Sequence, residues 1–341
     1  MTMLPLPFGC LSGEEQQAAL TGLANSALAL YPLGGDPRAS LINLSENATF
    51  RVEGGAEGRR YALRIHRDGY HSRDAIASEL AWAVALREAG VAATPCPVAG
   101  HDGSTIQALG HQAMRRPRNI VLFEWEEGRE PEFRGDLMPV FERLGAVTAR
   151  MHRHARSWKR PAGFTRLTWD LETSLGESQP HWGHWRDGIG LDAAKEVLFA
   201  RTVAAIGRRL QRYGKGPDRF GLIHGDLRLA NLLIDGDRLT VIDFDDCGFG
   251  WYMYDAATPV SFYEHEPQVE GLIEAWTRGY RSVAPLSPDD EAEFPTFIML
   301  RRLLLVAWIG SHGETDLARK MGPAYTEGTV GLCEGYLARF G

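Results

Sequence analysis

Residues 222–251 read LIHGDLRLANLLIDGDRLTVIDFDDCGFGW, and the reading of the whole chain turns on them. His224-Gly225-Asp226 is followed, five positions after its Asp, by Asn231, and a second Asp, Asp243, leaves a short apolar run. Residues 222–224 read as a strand end, 231–234 as a second strand and 239–242 as a third. The turn Asp235-Gly236-Asp237 lies between the last two, and an Asp-Gly turn flanked by apolar runs is a hairpin signal. Asn231 and Asp243 then flank the hairpin mouth, with Asp226 held beside them on the preceding loop. An amide oxygen and carboxylates gathered in this way suit a magnesium ion, which keeps positions open for phosphate. The pattern points to phosphoryl transfer.

Two other readings compete. Asp and Asn bond their own backbone in turns and caps, which accounts for any one of these residues but not for the set. Alternatively, Asp243-Phe244-Asp245 is the Asp-x-Asp of a phosphatase whose first Asp is a nucleophile ending a buried strand. That motif is usually followed by Thr or Val, whereas Asp246 follows here, well past the middle of the chain.

His224-Gly225-Asp226-Leu227-Arg228 with Asn231, followed by Ile242-Asp243-Phe244-Asp245, resembles the catalytic and metal loops of the aminoglycoside phosphotransferase and choline kinase family, relatives of protein kinases. The flank 243–248 and the later Tyr254-Asp255 look most like its homoserine kinase type II and stress-response kinase branch. Over roughly residues 40–312 the resemblance implies a two-lobed, protein-kinase-like α+β fold with a small sheet lobe and a larger mainly helical lobe. It divides the chain into a nucleotide-binding lobe at 1–123, a hinge at 124–128 and a catalytic and substrate lobe at 129–341.

The resemblance also implies roles. Asp226, with Arg228 beside it, is the catalytic group that takes the acceptor's hydroxyl proton, and Asn231 and Asp243 hold Mg2+ on ATP. The phosphates lie under Ser45, Asn47 and Thr49, and the backbone of Glu124, Trp125 and Glu126 bonds the adenine edge. Arg64 stands where kinases carry a phosphate-binding Lys, on the segment Tyr61-Ala62-Leu63-Arg64-Ile65; it keeps the charge and adds a fork. Glu79 stands where the Glu that pairs with that Lys belongs, and Asp255 where an Asp anchors the catalytic loop. The expected acceptor is a small-molecule hydroxyl, homoserine or a related amino alcohol first. A protein Ser/Thr, an aminoglycoside, and a nucleotide-binding pseudokinase suggested by Arg64 follow.

Composition narrows the partners. In 341 residues, 44% hydrophobic and 24% charged, there is ample material for a core in two lobes. A net charge of −7 offers no broad basic field for nucleic acid. The absence of a cationic, apolar amino-terminal leader and of eighteen contiguous apolar residues argues against secretion and membrane insertion. Scattered cysteines without a Cys-x-x-Cys pair fit a cytoplasmic protein.

Local patterns fill in the elements. Residues 13–30 have a loosely helical period; 41–52 reads as strand, loop, strand; 61–65 pairs with it; and a helix capped by Ser72 or Asp74 runs to about Gly90. Residues 119–123 form a strand before the hinge. Leu137, Val140, Phe141, Leu144, Val147 and Met151 mark an amphipathic helix, and 191–213 another, whose Arg208, Arg209 and Arg212 read as a solvated face. Residues 161–185 read as an irregular segment whose Phe164, Trp169, Trp182 and Trp185 pack near the substrate or, equally, in the core. Beyond Asp255 the chain reads as helical to its end.

Overall fold

The computed structural model describes residues 8–178, 180–313 and 315–341. They fold into two compact units: the chain up to residue 85 with 94–127 and 161–165, and 86–93 with 128–160 and 166–341.

The first unit starts with α1 (Gly13–Ala27), whose entry is fixed by a capping box in which Ser12 and Glu15 bond each other's backbone. β1 (Arg38–Leu44), β2 (Ala48–Glu53) and β3 (Tyr61–Ile65) follow, then α2 (Arg73–Glu88), β4 (Ile106–Leu109) and β5 (Arg118–Glu124). The strands form one antiparallel sheet in the order β1-β2-β3-β5-β4. Ser72 Oγ caps α2 by accepting from the Ala75 N–H at 3.1 Å. Strand parity explains the apolar run in β5. Ile120 and Leu122 join Leu63, Ile65, Phe50 and the α1 residues Leu23 and Ala27 on one face. Val121 and Phe123 meet Ile76 and Leu80 of α2 on the other. Both faces are covered, so the strand is apolar throughout rather than alternating. The same parity turns Arg64 away from the Leu63 and Ile65 side, toward α2.

In the second unit, α3 (Met138–Ser157) is followed by β6 (Leu167–Trp169), α4 (Leu171–Leu175), α5 (Ala193–Tyr213), β7 (Phe220–Ile223), the hairpin β8 (Leu232–Asp235) and β9 (Arg238–Val241), and β10 (Gly248–Trp251). Then come α6 (Tyr254–Ala257), α7 (Val269–Arg281), α8 (Pro288–Ala292), α9 (Phe294–Ser311) and α10 (Asp316–Phe340), the last broken at Gly322 ahead of Pro323. α3 and α7 pack backbone to backbone. A Cβ on Gly145 would lie 1.9 Å from the Trp276 carbonyl oxygen, and one on Gly279 would lie 1.7 Å from that of Glu142. α9 has a mean hydropathy of 1.3 over 18 residues, enough by length and composition to cross a membrane, but 78% of it is buried inside this unit.

Two expectations need correction. Residues 161–185 are only partly irregular: β6 pairs in parallel with β10, α4 is capped by Asp170, and Trp169, Trp182 and Trp185 are buried, in line with the core-packing reading. A three-residue strand is too short to show a period, and its Gly-rich partner β10 carries little strand signal of its own. Arg209 is not on a solvated face either, because it forks onto Glu293 at 2.7 and 2.9 Å.

Candidate active site

β7 delivers the chain to His224-Gly225-Asp226, and this loop is held from behind by Asp255. The fully buried Asp255 carboxylate accepts from the His224 N–H at 3.0 Å and the Gly225 N–H at 2.8 Å. Gly225 has φ +80°, a conformation that L side chains resist, which explains a glycine at this position. His152, on α3, lies 3.1 Å from Asp255 through Nε2 and 3.2 Å from the Tyr280 hydroxyl through Nδ1. A carboxylate only accepts, so Nε2 carries the proton and Nδ1 accepts from Tyr280. Burial holds the His152 pKa below the ordinary histidine value despite Asp255. The anchoring role expected of Asp255 is thus present in hydrogen bonds, and His152 extends it.

His224 couples the loop to the hairpin. Its Nδ1 accepts from the Asp226 N–H at 3.2 Å, which leaves Nε2 to donate to the Ile242 carbonyl at 3.2 Å. The Ile242 N–H in turn donates to the Asn231 carbonyl at 2.9 Å. Asp243 therefore follows directly on a residue bonded to both His224 and Asn231. Its φ of 60° is left-handed, a region that Asp tolerates better than most side chains. Beyond it, Arg166 donates to the carbonyls of Asp245 and Cys247, and Trp169 Nε1 donates to that of Asp246 at 2.7 Å.

Asp226 is buried and gripped at both oxygens. Oδ2 accepts from Asn231 Nδ2 at 2.8 Å and lies 3.2 Å from Arg228 Nε, and Oδ1 is ion-paired with Arg301 on α9. Burial alone would raise its pKa, but the charges of Arg301 and Arg228 outweigh that and hold it below the usual carboxylate range. Asn231 Nδ2 is committed to Asp226, and among the described residues no side chain or amide is seen bonding its Oδ1. That oxygen and the Asp243 carboxylate are hard donors on adjoining segments. Among the described residues no three His, Cys, Asp or Glu side chains gather as a metal set. The donors present fit a magnesium-like ion that takes one or two protein ligands and fills its shell with phosphate and water.

In the first unit, Arg64 Nη1 donates to Glu79 Oε1 at 2.8 Å, with both side chains buried. Thr49 is the register partner of Arg64 on β2. Ser45 and Asn47 form the β1–β2 turn, where the Ser45 N–H donates to the Asn47 carbonyl at 3.1 Å and Asn47 Oδ1 accepts from the Arg67 N–H at 3.0 Å. At the end of β5, the Glu124 N–H donates to Cys96 and the Trp125 N–H to Arg60. Those two N–H groups are spent within the unit. Glu126 follows directly after them.

Arg301, His152 and Arg166 were not singled out as functional from sequence. A signal existed for the first: Met299-Leu300-Arg301-Arg302-Leu303-Leu304 sets two charges in an apolar helix, and buried charges require partners. The phosphatase alternative for Asp243 does not hold. β9 belongs to a two-stranded antiparallel hairpin rather than to a buried parallel sheet.

A His-Gly-Asp loop, a spaced Asn and an Asp after a hairpin, together with a five-stranded sheet carrying an Arg–Glu pair to a helix, define a phosphotransferase of protein-kinase-like fold. The chain belongs to the phosphotransferase enzyme family, which it matches over residues 40–286. It is 44% identical to a solved microcompartment-associated aminopropanol kinase, with 93% of this chain and 97% of that one covered and a TM-score of 0.85. It is 26% identical over 264 residues to the amicoumacin kinase of Bacillus subtilis, covering 73% of each. It is 28% identical over 284 residues to a homoserine kinase of Methylobacillus flagellatus, covering 79% of each. The chain is accordingly a small-molecule kinase, and its family implies ATP as donor together with a divalent metal.

Proposed function

We propose that this kinase moves the γ-phosphate of ATP to the hydroxyl of a small amino alcohol, with an aminopropanol ahead of homoserine as acceptor. The observation that supports this most is the 44% identity, over nearly the full length of both chains, to an aminopropanol kinase. Homoserine stays second on the strength of the Methylobacillus relative. In the second unit, Asp226 orients the acceptor hydroxyl and takes its proton as the oxygen bonds to the γ-phosphorus and the bond to ADP breaks. Arg228 helps hold that carboxylate, and Asn231 and Asp243 are the ligands for magnesium. The ion, when bound, neutralises charge on the phosphates. In the first unit, Arg64 is the phosphate-binding cation set by Glu79. The β1–β2 turn with Ser45 and Asn47, and Thr49 beside it, offers small polar groups to phosphate oxygens. The adenine contact falls to the backbone of Glu124, Trp125 and Glu126, with the Glu124 and Trp125 N–H groups already bonded within the unit.

The reading is tested by ADP release with Mg2+ and ATP over a panel of aminopropanol, ethanolamine, homoserine, choline, an aminoglycoside and a generic protein Ser/Thr substrate. Turnover is expected with aminopropanol first and with the protein substrate not at all. A preference for the aminoglycoside or the protein would overturn the acceptor assignment.

A further inference from the structure

We infer that Arg301, on α9, is the positioning residue of the transfer step, setting the plane of the Asp226 carboxylate so that one lone pair is presented to the acceptor hydroxyl. The inference rests on the reading of Asp226 as the group that receives the acceptor.

A carboxylate on a loop is free to rotate about its last torsion unless both oxygens are held. Asn231 and Arg228 hold Oδ2, and Arg301 alone among the described side chains holds Oδ1. An ionised carboxylate offers about two lone pairs per oxygen, so Oδ1 keeps an acceptor position beside the Arg301 contact. The guanidinium is itself immobilised. It is 2% exposed, Nε donates to Ser261 Oγ at 3.0 Å, and Nη1 donates to the Tyr254 hydroxyl at 3.3 Å. With its fork divided among three partners, Arg301 has little freedom to follow Asp226, so Asp226 must follow Arg301.

The next residue on the helix is anchored separately. Successive helical side chains point about 100° apart, and Arg302 accordingly faces elsewhere. It pairs with Glu264 at 2.8 Å and donates to Thr329 Oγ1 at 2.7 Å and to the Tyr325 carbonyl at 2.9 Å. Tyr325 and Thr329 lie on α10, so Arg302 bonds away from the catalytic loop, while α9 itself is held along its length by its buried apolar side chains. Arg302 does not touch Asp226, which makes it the internal control for a purely structural effect.

The test compares Arg301→Met, Arg301→Lys and Arg302→Met with the wild-type full chain, measuring kcat, KM for ATP and thermal midpoint, and repeats Arg301→Met in an Asp226→Asn background. Arg301→Met is expected to lower kcat about 10- to 100-fold, the scale of a misplaced catalytic group, with KM for ATP unchanged. Arg301→Lys should recover part of that loss, since charge stays and the fork goes. Arg302→Met should lower the thermal midpoint with kcat near wild type. In the Asp226→Asn background, Arg301→Met should change kcat little further. Wild-type kcat in Arg301→Met overturns the inference, as do equal kcat losses in Arg301→Met and Arg302→Met, or a full further loss on top of Asp226→Asn. Should Arg301→Met fail to fold, Arg301→Lys against Arg302→Met gives the same comparison. Near-normal kcat in Asp226→Asn alone would instead overturn the role of Asp226.

Discussion

Arg64 on β3 donates to Glu79 on α2 at 2.8 Å, and the pair is buried on a sheet face otherwise lined by Val121, Phe123, Ile76 and Leu80. A charge-assisted bond of this kind contributes about 1.5–3 kcal/mol. Glu79→Ala should lower stability by that order in urea unfolding. Arg64→Ala should in addition weaken ATP binding, with Arg64→Lys intermediate in a nucleotide titration. Unchanged ATP affinity in Arg64→Ala would make the strand position structural only.

The anchoring of the catalytic loop on Asp255 gives a second expectation. Asp255→Ala leaves the His224 and Gly225 N–H groups without their acceptor in a buried site, at about 1–3 kcal/mol for each group. Denaturant unfolding should show this loss, and kcat should fall with it. Asp255→Asn, which keeps one acceptor oxygen, should lose less.

Acid should lower the stability of the protein before its carboxylates titrate. Burial lowers the folded-state pKa of His152 and of His224 below that of the unfolded chain, about 6.5 for an unperturbed histidine. The unfolded state therefore takes up the proton first, so stability is full above that value and falls as pH drops through it. The slope is at most about 1.4 kcal/mol per pH unit for each histidine. Urea unfolding between pH 7.5 and 5 measures it, and His152→Gln should flatten the curve.

Local crowding predicts opposite outcomes for two glycines, one in the α3–α7 contact and one on α10. Gly145→Ala forces a methyl group to 1.9 Å from the Trp276 carbonyl oxygen and should cost about 1–3 kcal/mol or more, because neither backbone can give way. Gly335→Ala, in α10 with nothing within 4 Å of the new methyl group, should stabilise by about 0.5–1 kcal/mol. Thermal midpoints of the two variants decide it.

Much of this was legible in residues 222–251 because kinase chemistry fixes residue types at fixed local spacing: Asp226 to Asn231, and a hairpin to Asp243. The Arg64–Glu79 contact was implied by the family resemblance, which sets one residue on a strand and the other on the helix after it. What escaped is non-local. Arg301 meets Asp226 across 75 positions and His152 meets Asp255 across 103. No periodicity relates residues so far apart. The aromatic run 161–185 left loop lining and core packing open because irregularly spaced tryptophans suit both, and the burial of Trp169, Trp182 and Trp185 favours the core.

The central claim is that Asp226 handles the acceptor while other residues handle the nucleotide. The most direct measurement is ATP affinity and aminopropanol phosphorylation for wild type and Asp226→Asn at one magnesium concentration. Phosphorylation should fall by about 10²- to 10⁴-fold, the scale of a lost general base, with ATP affinity nearly unchanged. Near-normal phosphorylation in the variant, or a loss explained wholly by failed ATP binding, would contradict the account.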